Sequence, residues 1–405
     1  MILFVATVIG GACNYFYQIF MWKSLTVESY SELMAVLSLF YIVSVPTQTV
    51  GTMLLRYTSK FVAQGRQAQV SWLMRRSLWI SLAVSLVMVV ALLVSMPWLV
   101  SFLALPSDLP LIIMLFGLVV AMVTPIGFGT GQGLHRFGML GLNTVTWPLG
   151  KLLFGMLLVF AGFGVAGAMG GVVIGSVFGM LIVLVGVRDY LAKPGEEITQ
   201  ADSRAIKMYL IPVTVAVVCY AILTNIDIFL ANHYLDKTSS GLYSIASTLG
   251  KIILFLPGAI GTVMFPKISE AHTRNEDTVR IMRRSIFWTL GLSGLCAIGF
   301  LLLPDTVLGL LSNQSYLGAA PALQVIGFSM MFFGLSSLFM NYGLATDRHQ
   351  YISFLLIFTL VEVALLMLFH STPVEIAYDM LVTSLLMCVV SWVYMELKWR
   401  SVSIY

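Results

Sequence analysis

Met74-Arg75-Arg76-Ser77 returns unchanged as Met282-Arg283-Arg284-Ser285, 208 positions later, and each copy opens a long apolar segment. Other fragments recur at nearly the same offset. Pro46 and Gly51-Thr52 stand against Pro257 and Gly261-Thr262, Gly117 against Gly327, Gly133-Leu134 against Gly343-Leu344, and Ile19-Phe20 against Ile228-Phe229. A repeat of half a chain's length implies two homologous lobes, each with the same order of apolar segments and charged turns. Between two such lobes in a membrane lies the usual place for a transport path.

The apolar segments set the environment. With 59% hydrophobic and 10% charged residues and a mean hydropathy of +0.96, the chain lacks the polar surface a soluble protein of its size needs. A helix needs roughly 20 apolar residues to cross about 30 Å of hydrocarbon. Twelve such runs lie near 2 to 22, 31 to 55, 77 to 103, 109 to 131, 138 to 162, 165 to 187, 209 to 232, 241 to 265, 285 to 303, 318 to 345, 351 to 369 and 375 to 397. The expected fold is an all-α polytopic membrane protein of twelve transmembrane helices in two pseudo-symmetric six-helix lobes. The expected boundaries are 1–190 for the N-terminal lobe, 191–208 for a cytoplasmic linker containing Lys193-Pro194-Gly195-Glu196-Glu197, and 209–405 for the C-terminal lobe.

Charge placement orients the spans. Of the 22 Lys and Arg, 18 fall at helix ends or in loops that share a side: 54 to 76, 132 to 137, 188 to 208, 266 to 284, 346 to 350 and the tail from Lys398. Lys23 and Lys237 sit in the opposite loops, and Lys151 and Lys251 lie inside helices. Basic loops stay in the cytoplasm, so both termini are expected there, in the cytoplasmic (inner) membrane. The net charge of +4 is that of a basic rim beside anionic headgroups and implies membrane lipids, not nucleic acid, as its partners. The first segment has no basic n-region and no small-residue cleavage site before Lys23, so it reads as a retained span, not a signal peptide. Cys13, Cys219, Cys296 and Cys388 all fall in apolar segments without paired spacing, which indicates neither disulfides nor a metal site.

Several local patterns have ordinary readings. Gly171, Gly175 and Gly179 form a face of small residues on the sixth span, suited to close helix approach. The run Gly127-Phe128-Gly129-Thr130-Gly131-Gln132-Gly133 resembles a phosphate-cradling loop, but it ends a membrane helix and follows no strand, so it reads as flexible backbone. The repeated Arg pairs read as headgroup anchors. Pro46 and Pro257 are repeat equivalents, which predicts a bend common to both lobes. Outer loops are short, the longest running from Leu303 to about Gly318, and none offers the folded domain an outer-face enzyme would need.

Ionisable groups deep in apolar segments cost several kcal/mol unless they face a wet cavity or a partner, which makes each a functional candidate. Lys151 on the fifth span, Asp227 on the seventh, Lys251 on the eighth and Glu362 on the eleventh qualify, while Arg56 and Asp379 lie nearer helix ends. Lys151 and Glu362 are close to the repeat offset, and Asp227 corresponds to Gln18. With Asn14, Tyr17, Thr224 and Asn225 on the same two helices as Gln18 and Asp227, the pattern reads as a polar stripe lining a cleft between the lobes. Internal ion pairs that merely fix helix packing are the competing account. Lysines in such a cleft suit anionic cargo, phosphate above all. Asp227 and Glu362 are instead candidates for binding H⁺ or Na⁺; no other cofactor is expected.

Asn14 to Gly65, with Leu25-Thr26-Val27-Glu28-Ser29-Tyr30 leading into the second helix and Arg56-Tyr57 closing it, resembles the polysaccharide transport branch of the MOP (MATE-like) exporters, the Wzx-type oligosaccharide flippases. The second-lobe counterpart, Asp227 to Ala271, with Gly241-Leu242-Tyr243-Ser244 and Phe265-Pro266-Lys267-Ile268-Ser269, is similar to the same family. The resemblance implies a transporter, not an enzyme, that flips a polyprenyl-diphosphate-linked oligosaccharide and works alongside a polysaccharide polymerase and glycosyltransferases. It assigns the grip on diphosphate or acidic sugar to Lys151, Lys251 and Arg56. One departure is Tyr30-Ser31, where the family usually has Tyr-Gly.

Three other functions compete: a cation-coupled multidrug or metabolite antiporter of the same superfamily, a membrane-embedded glycan ligase or polymerase, and a scaffold. The mixed Lys and carboxylate content disfavours the first, the short outer loops the second, and intramembrane charges at repeat-equivalent positions the third.

Overall fold

The computed structural model describes residues 2–273, 277–346 and 350–402, and these hold helices and no strands. Arg274 and Arg348, counted above among the basic loops, lie outside the described residues. By internal contacts the chain divides into two compact units, Met1–Val217 and Val218–Tyr405.

The first unit begins with α1 (Ile2–Ser24), α2 (Val27–Ser44), α3 (Pro46–Ala63) and α4 (Gln67–Phe102). Thr26 caps α2 by accepting from the Ser29 backbone N–H at 3.2 Å, which satisfies one of the donors a helix start leaves open. The expected single second span is two helices meeting at Val45, because Pro46 has no N–H to continue the ladder. At about 1.5 Å per residue, the 36 residues of α4 reach roughly 54 Å, so its first turns stand clear of the bilayer. Along its length Trp79, Leu86, Val87 and Val94 are apolar and exposed, as suits a helix whose solvent is lipid.

Next come α5 (Leu109–Gly133), α6 (Phe137–Leu158) and α7 (Gly164–Gly186). The chain reverses between α6 and α7 through Gly162 at φ 89° and Gly164 at φ 49°, a left-handed backbone that glycine adopts without strain. The two helices then pack as a hairpin. A Cβ on Gly175 would lie 2.4 Å from the Lys151 backbone N, and one on Gly171 would lie 2.4 Å from the Gly155 Cα, so the glycine face on the sixth span is a packing face.

Short α8 (Arg188–Ala192) and a non-helical stretch lead to α9 (Gln200–Leu223). The contact boundary falls inside α9 because its first half packs on the first unit. Asp202 accepts from Lys60 Nζ and an Arg66 guanidinium N, each at 2.9 Å. Ile198 and Ile206 join a core of Leu54, Tyr57, Leu73 and Met74.

The second unit continues with α10 (Ile226–Tyr234), α11 (Lys237–Gly250), α12 (Phe255–Thr273), α13 (Thr278–Leu302) and α14 (Pro304–Leu311), then α15 (Ala320–Ala345), α16 (Gln350–Leu368) and α17 (Pro373–Val402). Two spans are broken here. The seventh starts earlier than its apolar run suggests and breaks at Thr224-Asn225 between α9 and α10. The eighth is interrupted by a tighter 3₁₀ turn, Lys251–Leu254. Pro257 removes the bond to the Ile253 carbonyl, so the bend predicted near it falls one turn earlier. The loop from Leu303 to about Gly318 contains α14.

Ten helical stretches among the described residues are long and apolar enough to cross a membrane. One of them, 137–186, contains the α6–α7 hairpin and crosses twice, and α1 at 23 residues adds another. The result is the expected twelve-helix, multi-pass membrane protein.

Candidate functional site

In the first unit, α1 and α6 bring Asn14, Tyr17, Trp147 and Lys151 together. Lys151 is 3% exposed. Its Nζ donates to Asn14 Oδ1 at 3.2 Å and lies 4.2 Å from the centre of the Tyr17 ring and 5.8 Å from that of Trp147. Tyr17 is itself fixed by donating its hydroxyl to the Ala168 carbonyl at 2.9 Å. An ammonium facing aromatic rings in a desolvated site gains about 2 kcal/mol or more, which helps hold the cation without a counter-charge. No carboxylate pairs with it among the described residues. An ammonium has three donors, and the one acceptor at Asn14 leaves donor capacity for an incoming anion.

A cavity of about 240 Å³ lies against the same Trp147, lined among others by Tyr41, Ser44, Thr47, Gln48, Thr124, Asn143 and Ser176. Asn143 is pinned by donating its side-chain amide to the Gly179 carbonyl at 2.7 Å. These uncharged polar groups, from α2, α3, α5, α6 and α7, lie outside the candidates that the sequence offers on the first and seventh spans. Gln48 and Asn143 were visible as amides within spans.

In the second unit, the broken helices build a different arrangement. Tyr243, Ser247 and Lys251 recur every four residues and so share one face of α11 and its extension. That face meets Asp227, which is fully buried. Asp227 Oδ2 accepts from the Tyr243 hydroxyl at 2.9 Å and the Ser247 hydroxyl at 2.7 Å. Its Oδ1 has no hydrogen-bond partner among the described residues, and the Lys251 Nζ is 4.0 Å away. Lys251 donates to Asn225 Oδ1 at 3.3 Å. Asn225 in turn donates to the Ala221 carbonyl at 2.9 Å, which ties the break in the seventh span to the site.

Glu362 on α16 is fully buried and neither of its oxygens has a hydrogen-bond partner among the described residues. It lies within electrostatic range of Asp227, Asp379 and Lys251. Asp379 Oδ2 and Thr383 Oγ1 are likewise buried without hydrogen-bond partners among the described residues. A carboxylate in that condition lacks the donors or cation that would offset its desolvation.

The structure therefore groups the sequence candidates by unit: Asn14 with Lys151, and Asn225, Asp227, Lys251 and Glu362 with one another. Gln18 accepts from the Tyr30 hydroxyl at 3.3 Å. Arg56 is exposed, with its guanidinium 4.6 Å from the centre of the Tyr209 ring. Outside the spans, Arg136 and Asp189 form a pair at 2.5 Å, and the Arg136 hydrogen bond holds the Asp189 carboxyl below its ordinary range.

The fold is that of transporters of the MOP superfamily. It is similar to an inward-facing multidrug resistance MATE family transporter, with a TM-score of 0.83 at 12% identity over 98% of this chain and 99% of that one. It is also similar to the lipid II flippase MurJ in its inward closed conformation (0.74, 15%, covering 97% and 87%). A third likeness is to a MOP superfamily transporter from Pyrococcus furiosus, described as having a binding pocket of reversed polarity (0.67, 15%, covering 98% and 94%). Among curated proteins none matches the chain. The profile of the polysaccharide biosynthesis protein family matches residues 57–272, just over half of the chain. The chain belongs to that family.

Proposed function

We propose that the protein is an alternating-access flippase. Its cargo is an oligosaccharide linked to a polyprenyl diphosphate, moved from the cytoplasmic to the outer leaflet of the cytoplasmic membrane for surface polysaccharide synthesis. It breaks no covalent bond, and both termini face the cytoplasm. The observation that carries this reading is Lys151, an intramembrane ammonium held by one amide and two aromatic rings instead of a carboxylate. Such a group attracts an anion far more strongly than it would in water. The sugar headgroup needs replacement hydrogen bonds to leave water, and the amides and hydroxyls around Trp147 are of the right kind. Lys251 and Arg56 are further candidates for the anion.

Asp227 and Glu362 support a second role, coupling to H⁺ or Na⁺. The buried carboxylates also favour an alternative reading, a cation-coupled antiporter of small molecules. The two readings separate in a deletion strain. A flippase leaves the lipid-linked oligosaccharide accumulated on the inner leaflet and surface polysaccharide absent, and the wild-type gene restores both. Unchanged polysaccharide with altered resistance to cationic drugs would favour the antiporter.

A further inference from the structure

A second cavity, of about 810 Å³, opens between α12 and α13 in the second unit, lined by Ala259, Ile260, Met264, Lys267, Arg280, Ile281, Arg284, Ser285 and Trp288. Its walls are two helix faces. On α12 the lining residues run from Ala259 to Lys267, and on α13 from Arg280 to Trp288, each spanning about 12 Å of helix rise. Both helices place their cations at the same end, on the face that charge placement assigns to the cytoplasm, and both place apolar side chains deeper. Along α12 Lys267 stands at the rim with Met264 and then Ile260 deeper, and along α13 Arg280 stands at the rim, Arg284 about one turn further in and Trp288 one turn deeper still. Lys267, Arg280 and Arg284 are exposed and form no ion pair among the described residues, and no carboxylate among the described residues lines the cavity.

The corresponding groove of the first unit is occupied. At the repeat offsets, Ile260, Met264 and Lys267 correspond to Val50, Leu54 and Tyr57, and Arg280 and Ile281 to Trp72 and Leu73. Those first-unit residues belong to or pack against the core that Tyr190, Ile198 and Ile206 complete. The covering segment is tight there: a Cβ on Gly195 would lie 2.6 Å from the Trp72 backbone N, and the Glu196 N–H donates to the Ala68 carbonyl at 3.2 Å. In the second unit the same groove is uncovered by any described residue, and two aromatic positions have become Lys267 and Arg280.

We propose that this pocket binds an anionic phospholipid of the bulk bilayer that carries two phosphates, of the cardiolipin type. Its phosphates sit on Lys267, Arg280 and Arg284, and its acyl chains run inward past Ile260 and Trp288. Basic pockets between membrane helices on the cytoplasmic side suit such headgroups. The volume is near the top of the roughly 300–1,000 Å³ range of ligand pockets, more than one phosphate fills. Three cations with no carboxylate among the described lining residues favour two phosphates over one. The site does not depend on what the protein transports.

Native mass spectrometry of the full-length protein in detergent, with tetraoleoyl cardiolipin, dioleoyl phosphatidylglycerol or dioleoyl phosphatidylcholine added, tests this. Cardiolipin should be retained at least tenfold better than phosphatidylcholine, with phosphatidylglycerol between them. Each of Lys267→Gln, Arg280→Gln and Arg284→Gln should lower retention roughly fivefold and the triple variant on the order of a hundredfold. Arg76→Gln, at the register of Arg284 in the other unit, should leave it unchanged. The single variants carry the test if the triple variant does not keep the wild-type melting temperature. Equal retention in wild type and the variants would overturn the proposal. So would displacement of cardiolipin by a polyprenyl diphosphate at a tenth of its concentration, which would assign the pocket to the cargo.

Discussion

The Lys151 Nζ lies 4.2 Å from the centre of the Tyr17 ring, inside the membrane and with Asn14 Oδ1 as its hydrogen-bond acceptor. An aromatic face is a weak substitute for a counter-ion, and that weakness leaves the cation available. Lys151→Met should abolish export of surface polysaccharide while the protein still reaches the membrane. Tyr17→Leu should destabilise the site by about 2 kcal/mol through loss of the ring, whereas Tyr17→Phe should retain most of the export. Surface polysaccharide and membrane protein level, measured together, check all three.

Asp227 should separate stability from transport. Tyr243→Phe and Ser247→Ala each remove a hydrogen bond to a buried carboxylate and should lower stability by about 1.5–3 kcal/mol, read as melting temperature in detergent. Asp227→Asn and Glu362→Gln keep shape and should leave expression intact while reducing export, as coupling to H⁺ or Na⁺ requires. If both instead lose folded protein, the carboxylates serve packing.

The α6–α7 hairpin gives a steric prediction. A methyl at Gly175 would meet Lys151 N at 2.4 Å and Trp147 O at 2.5 Å, both backbone atoms that cannot swing aside. Gly175→Ala should cost about 1–3 kcal/mol by forcing the helices apart, and should impair export because it displaces Lys151. Gly138→Ala, with nothing within 4 Å of its added carbon, should be neutral or slightly stabilising. Thermal melting of the two variants side by side checks this.

The Arg136–Asp189 pair lies outside the spans, and its pH dependence has a definite sign. Arg136 holds the folded-state Asp189 carboxyl below its unfolded value. Its contribution is therefore fully present above the ordinary carboxylate range near about 4 and is lost as pH falls through the lower folded value. Side-chain exposure of 34% and 40% limits the pair to at most about 1 kcal/mol. Asp189→Asn should lower melting temperature slightly at pH 7 and make its decline between pH 5 and 3 shallower.

Hydropathy made the twelve crossings and their order legible, because a span is a composition before it is a shape. Charge made Lys151, Asp227, Lys251 and Glu362 legible, since few apolar runs tolerate them. What stayed hidden depends on hydrogen bonds between residues distant in sequence. The break at Asn225 and the 3₁₀ turn at Lys251 sit in apolar runs that look continuous, and they are stabilised by each other's side chains. Gln18 looked like part of the Asn14 group, but one turn of α1 directs it to Tyr30. The extended start of α4 and the first turns of α9 were polar enough to pass for loops, although they pack around Asp202 and Ile206. Gln48 and Asn143 carry no charge and so gave a weaker signal than the cavity they line deserves.

The central claim is that a polyprenyl-diphosphate-linked oligosaccharide crosses the bilayer through this protein with Lys151 contacting its phosphates. Purified protein in vesicles, loaded with a fluorescent carrier of that kind and exposed to a membrane-impermeant quencher, measures the crossing directly. With the quencher outside only, wild type should bring inner-leaflet lipid within its reach, so that quenching rises from about half to nearly all, while Lys151→Met vesicles should stay at about half, as protein-free vesicles do. Crossing at the same rate in wild-type, Lys151→Met and protein-free vesicles would contradict the account.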